Sequence, residues 1–173
     1  MRIFNLGLPK TGTKSLKFAL QILGFREGKK EDFPRKSDRF YSFDWVHQIY
    51  YKDLVEKYPD SIFLLTCRDS GKWYRSECKW SLMPGHIKLR RLLDQRIKLY
   101  GHEMPQGHKK DYIRRYREHY RRVVEYFRSI NKKIHILEWE EGAHQGNWKQ
   151  LCRVFNLNAP DMPFPHENRQ DFN

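Results

Sequence analysis

Short apolar runs alternate with longer amphipathic segments along most of the chain. The apolar runs predict four strands, at Arg2–Leu6, Phe40–Trp45, Ser61–Cys67 and Lys133–Trp139. The third run is the clearest, because it is continuously apolar, as a central parallel strand must be when both of its faces are covered. A small, buried, parallel sheet is therefore expected.

Apolar side chains at helical spacing predict helices between these strands. The predicted helices are Thr13–Leu23, His47–Tyr58, Gly71–Ser81, Ile87–Tyr100, Tyr112–Phe127 and Trp148–Phe155. Charged residues and Pro34 make Lys29–Arg39 a loop. The alternation of strands and helices predicts an α/β fold with helices on both faces of the sheet, whose ligands bind at the carboxyl ends of the strands. The length of 173 residues indicates one domain, 1–173.

Basic residues are concentrated in one part of the chain. The sequence has 34 Lys+Arg against 21 Asp+Glu, a formal net charge of +13, and Lys88–Lys133 alone holds 15 Lys/Arg and five Asp/Glu. This basic helical segment, at about 85–132, favours an anionic cofactor, substrate or polymer. Its tyrosines either stack on nucleic-acid bases or pack in the core beneath a solvated basic face. These tyrosines are Tyr100, Tyr112, Tyr116 and Tyr120.

Cysteine, histidine and hydropathy patterns narrow the class of protein. Cys67, Cys78 and Cys152 form no CxxC pair and cannot all be disulfide-bonded within the chain, so a reducing compartment is expected. The sequence shows no signal peptide and no apolar run of about 20 residues, which predicts a cytoplasmic protein without a membrane span. The histidines outside the candidate site lack the spacing of metal ligands. They are His86, His102, His108, His119, His135, His144 and His166.

A glycine-bearing turn, Gly7–Ser15, connects the first predicted strand to the first predicted helix. Such a turn gathers free backbone N–H groups and the positive end of a helix at one point, which is typical of a phosphate-binding loop, and Lys10 adds a full charge. The Walker A pattern requires Gly-Lys-Ser/Thr after four spacer residues, whereas Thr13 separates Gly12 from Lys14 here. The loop therefore departs from that pattern by one residue.

Pro9–Thr13 resembles the Pro-Lys-Thr/Ser-Gly-Thr motif of the sulfotransferases that use 3′-phosphoadenosine 5′-phosphosulfate (PAPS). A second motif of that family, an arginine after a strand and a serine eight positions later, is matched by Arg68 and Ser76. Many soluble members have basic residues where this chain has Glu140-Glu141-Gly142. Three further segments extend the resemblance to a short soluble branch over nearly the whole chain. These are Cys67–Ser76, Gly146–Cys152 and Pro163–Asn168.

The resemblance implies a three-layer P-loop-like fold and transfer of a sulfuryl group from PAPS to a hydroxyl or amine acceptor. It further implies that adenosine 3′,5′-bisphosphate is the product and that no metal is needed. Lys10 is expected to act catalytically at the bridging oxygen of the donor, while Arg68 and Ser76 hold the 3′-phosphate. The base is expected to be Asp44 or His47, with Asp44 preferred because it lies closer to the strand end. The 5′-phosphosulfate is expected at Pro9, Lys10, Thr11, Gly12, Thr13, Lys14 and Ser15.

Other functions remain alternatives at this point. A P-loop nucleotide kinase or NTPase would share the architecture, but it needs Gly-Lys-Ser/Thr and a magnesium site built on an aspartate. A non-catalytic nucleotide-binding protein, or one that binds a polyanion or nucleic acid, is a further alternative. For the sulfotransferase, a small-molecule or glycan acceptor is expected, and the basic segment would attract an anionic one.

Overall fold

The computed structural model of the chain describes residues 2–28, 40–42, 46–84, 90–140 and 142–166, with the backbone alone for 40–42 and 46–47. Within this part, the sheet has five strands, all parallel, in the spatial order β2-β3-β1-β4-β5. They are β1 Arg2–Asn5, β2 Arg26–Glu27, β3 Phe40–Ser42, β4 Ile62–Cys67 and β5 His135–Glu138. The predicted α/β fold with a small parallel sheet is confirmed. The sequence does not predict β2, because this exposed edge strand has only two residues, both charged.

The helices agree with the sequence pattern except at their ends and in one interruption. They are α1 Thr13–Ile22, α2 Val46–Ile49, α3 Tyr51–Lys57, α4 Ser70–Ser81, α5 Arg90–Tyr100, α6 Lys109–Ser129 and α7 His144–Phe155. The predicted helix His47–Tyr58 is two helices, because the backbone leaves the helical region at Tyr50 (φ −110°, ψ 34°). The predicted loop Lys29–Arg39 lies outside the described residues, as do 43–45 and 85–89. None of the described helices is both long enough and apolar enough to cross a membrane.

Helices α1 and α7 cover one face of the sheet. Ile3, Leu64 and Leu137, from three different strands, are at most 1% exposed on this side. The helices bury Leu16, Ala19, Leu20, Trp148 and Leu151 against them. Phe164, from the segment after α7, packs on Trp148 with ring centroids 4.9 Å apart. The C-terminal segment thus closes this half of the core.

Helices α3 and α6 cover the opposite face. Successive strand residues point to opposite sides, so Phe4 and Phe63, next to Ile3 and Leu64 in sequence, belong to a second cluster. Tyr51 and Val55 of α3 and Val123 and Phe127 of α6 complete that cluster. The sheet is therefore the middle of three layers, as the resemblance implied.

A third cluster, which is aromatic, joins α4, α5 and α6 to the loop that follows β1. Trp73 lies at its centre and packs on Tyr116, with ring centroids 4.5 Å apart, and on Tyr100 at 5.5 Å. Tyr100, Tyr112 and Tyr116 are at most 7% exposed, and Leu8 of the loop contacts the same cluster. Since buried rings offer no face to a nucleobase, these three tyrosines are core residues of the basic segment.

Candidate phosphate-binding site

The loop from Gly7 leads directly into α1, a helix whose first amides are not capped by a side chain. Gly12 is the N-cap residue, with a left-handed backbone (φ 89°), and no side chain caps the helix. The first turn contains no acidic residue. The N–H groups of Thr13, Lys14 and Ser15 have no acceptor within the helix, so they are available to an anion.

A buried chain of hydrogen bonds fixes the loop to the sheet. The Asn5 amide donates to the Thr66 hydroxyl (3.0 Å), and the Thr66 and Thr11 hydroxyls share a hydrogen bond of 2.7 Å. Thr11 also donates to the Leu8 carbonyl (2.7 Å), so the proton between the two threonines belongs to Thr66. The Asn5 carboxamide oxygen accepts from the N–H groups of Gly7 (3.1 Å) and Thr66 (3.2 Å). Strands β1 and β4 therefore hold the loop jointly.

Two glycines allow neighbouring elements to approach this loop closely. A Cβ atom at Gly7 would lie 2.0 Å from the Thr66 hydroxyl oxygen. A Cβ atom at Gly12 would lie 2.4 Å from a ring carbon of Trp139, just after β5, and would sit on a backbone with positive φ. Any larger residue at either position requires the loop or its neighbour to move.

Helices α2 and α4 hold the loop from its other sides. The Gln48 side chain of α2 donates to the Gly7 carbonyl at 2.8 Å. The Trp73 indole of α4 donates to the Pro9 carbonyl at 2.9 Å. Both acceptors are loop carbonyls, and binding them orients the Gly7–Leu8 peptide and the Pro9–Lys10 peptide, on the N-terminal side of Lys10. The loop is thus shaped before any ligand binds, which lowers the entropy that binding must overcome.

Arg68 follows β4, and β4 lies beside β1 in the sheet, so Arg68 and the loop come to the same edge. The Tyr116 hydroxyl of α6 accepts from the Arg68 N–H and donates to the Arg68 carbonyl, each at 2.8 Å. Asp69 caps α4 by accepting from the Lys72 N–H at 2.8 Å. The Arg68 guanidinium makes no ion pair or side-chain hydrogen bond with any described residue. Its backbone is fixed while its charge remains available.

Charged groups converge around Lys10. Burial lowers the pKa of Lys10, the charge of Glu77 opposes this effect, and the positive charges of Lys14 and Arg68 add to it. Glu77 is 0% exposed and accepts a hydrogen bond from the Arg96 Nε atom at 3.3 Å. Burial raises the pKa of Glu77 to about 7, against the attraction of Arg96 and Lys10. The loop lysine therefore lies within electrostatic reach of two cations and one buried carboxyl group.

A cavity of about 160 Å³ adjoins the loop at Leu8. Its wall includes Lys98 of α5 and Arg115 and Arg122 of α6, so the basic segment lines it. His119 also lines the cavity, and its Nε2 atom lies 2.8 Å from the Leu6 carbonyl, to which it donates. Burial lowers the pKa of His119 to about 4. This histidine is neutral near pH 7 and holds the end of β1.

The structure brings some of the predicted site residues together and leaves others open. The loop residues and Arg68 meet at one edge of the sheet, and Ser76 lies on α4, between Trp73, which binds the loop, and Glu77. Asp44 lies outside the described residues. His47 belongs to α2, but its side chain is likewise not described. The choice between these two candidate bases stays a prediction.

Several residues of the site have functions that spacing did not predict. Asn5 and Thr66 are polar residues inside apolar strands, next to the loop and to Arg68. This contrast could have identified them from the sequence as residues of the site. Glu77 follows Trp73 by one helical turn on the buried face of α4. A charged residue on such a face is rarely buried unless it is paired. Its partner Arg96 lies in α5 and could not be identified from sequence spacing.

One group of potential metal ligands occurs among the described residues, although spacing did not predict it. The ligand atoms of His102, His108 and Asp111 lie within 4.8 Å of one another. The two imidazole rings are stacked at 3.6 Å and 14°, and His102 Nε2 lies 3.1 Å from Asp111 Oδ2. The lone pairs of the two rings lie in nearly parallel planes, with ring centroids 3.6 Å apart, an arrangement that does not direct both of them at one cation. Ring stacking and a hydrogen bond thus account for this group.

The fold is α/β, and at the carboxyl edge of its sheet lies a loop whose lysine and first helical amides have the chemistry of an anion-binding site. Residues 2–33 and 29–172 match the family described as the sulfotransferase domain, and the chain belongs to that family. No curated protein matches the chain. Family membership indicates sulfuryl transfer as the class of reaction.

Proposed function

We propose that this protein transfers a sulfuryl group from PAPS to a hydroxyl or amine acceptor. One observation carries the proposal: in a sulfotransferase-family chain, the loop lysine, the free amides of α1 and the Arg68 guanidinium converge at adjacent strand ends. A donor that bears both a 5′-phosphosulfate and a 3′-phosphate presents two anionic groups. The loop fits the first group and Arg68 fits the second.

Different groups of the loop bind different oxygens of the 5′-phosphosulfate. The amides of α1 and the hydroxyls of Thr13 and Ser15 donate to its non-bridging oxygens, and Lys10 neutralises the charge that develops on the leaving oxygen. Arg68 offers a planar fork to the 3′-phosphate, and Ser76 adds a hydroxyl donor. Because Tyr116 fixes the Arg68 backbone, the side chain that carries the guanidinium begins at a defined position.

The proposed reaction is an in-line displacement at sulfur. The acceptor oxygen or nitrogen forms the new bond to sulfur while the bond from sulfur to the 5′-phosphate oxygen breaks, and adenosine 3′,5′-bisphosphate leaves. Asp44, or His47 as the alternative, takes the proton from the hydroxyl or amine of the acceptor. Gln48, the neighbour of His47, binds the Gly7 carbonyl, which supports placing this segment beside the loop.

The cavity beside Leu8 is the proposed entry of the acceptor. Its cationic wall of Lys98, Arg115 and Arg122 supports an acidic acceptor over a neutral one. The rate on a sulfated or carboxylated glycan fragment is then expected to fall steeply as salt rises from low to physiological ionic strength. Equal rates on neutral and acidic acceptors, both insensitive to salt, would argue against this choice.

The transfer itself is tested with radiolabelled PAPS and a panel of hydroxyl and amine acceptors. Wild-type protein is expected to label an acceptor, and Lys10→Met to reduce the rate by about 10²- to 10³-fold, as removal of one transition-state donor does. Lys17→Met is the matched control, because Lys17 lies on α1, the helix that follows the loop, and forms a solvent-accessible ion pair with Glu27 of β2. Magnesium-dependent turnover of ATP without sulfuryl transfer would favour the kinase or NTPase alternative.

The assignment of Arg68 is tested by calorimetry with two nucleotides. Arg68→Ala is expected to weaken binding of adenosine 3′,5′-bisphosphate by about 10- to 100-fold and binding of adenosine 5′-monophosphate much less, because only the former carries the 3′-phosphate. Arg75→Ala on α4 is the control and should bind both nucleotides as wild type does. Equal weakening of both nucleotides by Arg68→Ala would show that Arg68 does not bind the 3′-phosphate.

A further inference from the structure

Glu77 and Arg96 form an ion pair that contributes little to the stability of the fold. Both side chains are at most 2% exposed, and a single hydrogen bond of 3.3 Å joins them. Glu77 Oε2, both terminal nitrogens of Arg96 and the nearby Tyr100 hydroxyl are buried without a partner among the described residues. Each unsatisfied buried group is unfavourable for stability, and a buried pair is often no better than two apolar side chains.

The pair lies where the side chain of Lys10 ends. The Lys10 ammonium lies 5.8 Å from the centre of the Trp80 ring, and the Arg96 guanidinium lies 4.9 Å from the same ring. Glu77 is three positions before Trp80 on α4 and interacts electrostatically with Lys10. A carboxylate and an aromatic ring together form a binding site for an ammonium group.

We infer that Glu77, supported by Arg96, is a positioning residue that directs the Lys10 ammonium into the sulfonate site. Arg96 acts as the buried counter-ion that favours the ionised form of Glu77, and the second carboxylate oxygen of Glu77 has no hydrogen-bond partner among the described residues. This role rests on the proposed function for its catalytic meaning, but the electrostatic coupling to Lys10 does not. The unfavourable burial of the pair is then explained by its effect on the loop.

The groups that face Glu77 come from three elements. Lys10 approaches from the loop, Arg96 and Tyr100 from α5, and Tyr112 from α6. The two cations favour the ionised carboxylate, whereas burial disfavours it. As the pH falls through about 7, Glu77 takes up a proton and its hold on Lys10 is lost. When Glu77 is replaced by a residue that cannot ionise, the titration of Lys10 no longer depends on the protonation of a carboxyl group at this position.

Two variants separate positioning from a merely structural role. Glu77→Gln removes the charge at nearly constant shape but leaves Arg96 buried and unpaired, so it is also expected to be less stable. The double variant Glu77→Met/Arg96→Met removes both charges and is expected to fold at least as well as wild type. The control, Arg121→Met/Glu125→Met, removes an exposed ion pair of α6.

The first readout is the reactivity of the Lys10 amine towards acetic anhydride, followed by mass spectrometry from pH 6 to 10. The double variant is expected to label Lys10 several-fold faster than wild type at pH 8, because the pKa of Lys10 falls further when the opposing charge is removed. The control should label as wild type does. Identical labelling of Lys10 in the double variant and wild type overturns the inference, whether or not the protein transfers sulfate.

The second readout is the rate of transfer from PAPS. The double variant is expected to lose about tenfold or more in kcat with a smaller change in KM for the donor, because a displaced lysine acts mainly on the transition state. A stable double variant with wild-type kcat would make the pair structural only. Altered labelling in a protein that transfers no sulfate would leave the positioning role standing and reject the proposed function.

Discussion

Replacing Thr66 by valine is expected to detach the loop from β4 without changing the shape of the core. Thr66 is 2% exposed, and its hydroxyl accepts from Asn5 at 3.0 Å and donates to Thr11 at 2.7 Å. Valine fills nearly the same volume but makes neither hydrogen bond. The substitution therefore isolates the hydrogen-bond chain from the packing around it.

The expected magnitude follows from the partners that remain. The Asn5 amide, 1% exposed, loses the acceptor of its 3.0 Å bond, and a buried unsatisfied group costs about 1–3 kcal/mol. Loss of the bond to Thr11 adds about 1 kcal/mol, so the free energy of unfolding should fall by about 2–4 kcal/mol. Thr66→Ser is the matched control, because it keeps the hydroxyl and loses one methyl group, at about 1 kcal/mol.

Two measurements check this expectation. Urea denaturation followed by tryptophan fluorescence should rank the serine variant above the valine variant, although valine is closer in size to threonine. Calorimetry with adenosine 3′,5′-bisphosphate should show affinity about tenfold lower for Thr66→Val than for Thr66→Ser, since a loosened loop must be ordered on binding. Equal unfolding free energies for the two variants would refute the reasoning.

Three further predictions concern the surroundings of the loop. Gly12→Ala should reduce affinity for adenosine 3′,5′-bisphosphate at least tenfold, because its Cβ would meet Trp139 at 2.4 Å, whereas Gly101→Ala, with similar φ and open space, should show only backbone strain in denaturation. The wild-type protein should lose up to about 3 kcal/mol of unfolding free energy between pH 6.5 and 4, because His119 takes up a proton in that window in the unfolded but not in the folded chain. His119→Gln should make this loss smaller, and an unchanged pH dependence of unfolding would contradict the prediction. Phe164→Ala should lower the free energy of unfolding by about 3–4 kcal/mol, and a loss below about 1 kcal/mol would mean that the C-terminal segment is not part of the core.

Much of the fold was predictable because each layer leaves a pattern in the sequence. The apolar run of β4 and the helical spacing of α1 and α6 depend on burial that repeats along one element. Strand β2 leaves no such pattern, since both of its residues are exposed. The first turn of α7 contains His144 and Gly146, so apolar spacing placed the start of that helix too late.

The site was predictable only where its residues are contiguous or follow a motif. The loop and Arg68 belong to short motifs, and the parallel pairing of β1 with β4 brings them together. The Glu77–Arg96 pair spans 19 positions and two helices, and its existence depends on how α4 packs beside α5. Tertiary packing of this kind has no period and no motif, so it first becomes visible in the structure.

The backbone at Lys10 gives an independent reason to place this lysine at the reacting centre. Three non-glycine residues of the described part have positive φ, and the other two, Asn131 and Asn156, are of a type that tolerates the left-handed region. Lys10 adopts φ 66° without that tolerance, at a penalty of about 1–2 kcal/mol that glycine would avoid. In the Walker A arrangement the lysine would instead belong to the first turn of the helix, where Lys14 is exposed to solvent. A strained loop lysine directed towards Trp80 would reach the donor of the proposed reaction from the side of α4, and the amides would reach it from α1. These two directions together suit an oxygen that bridges two anionic groups.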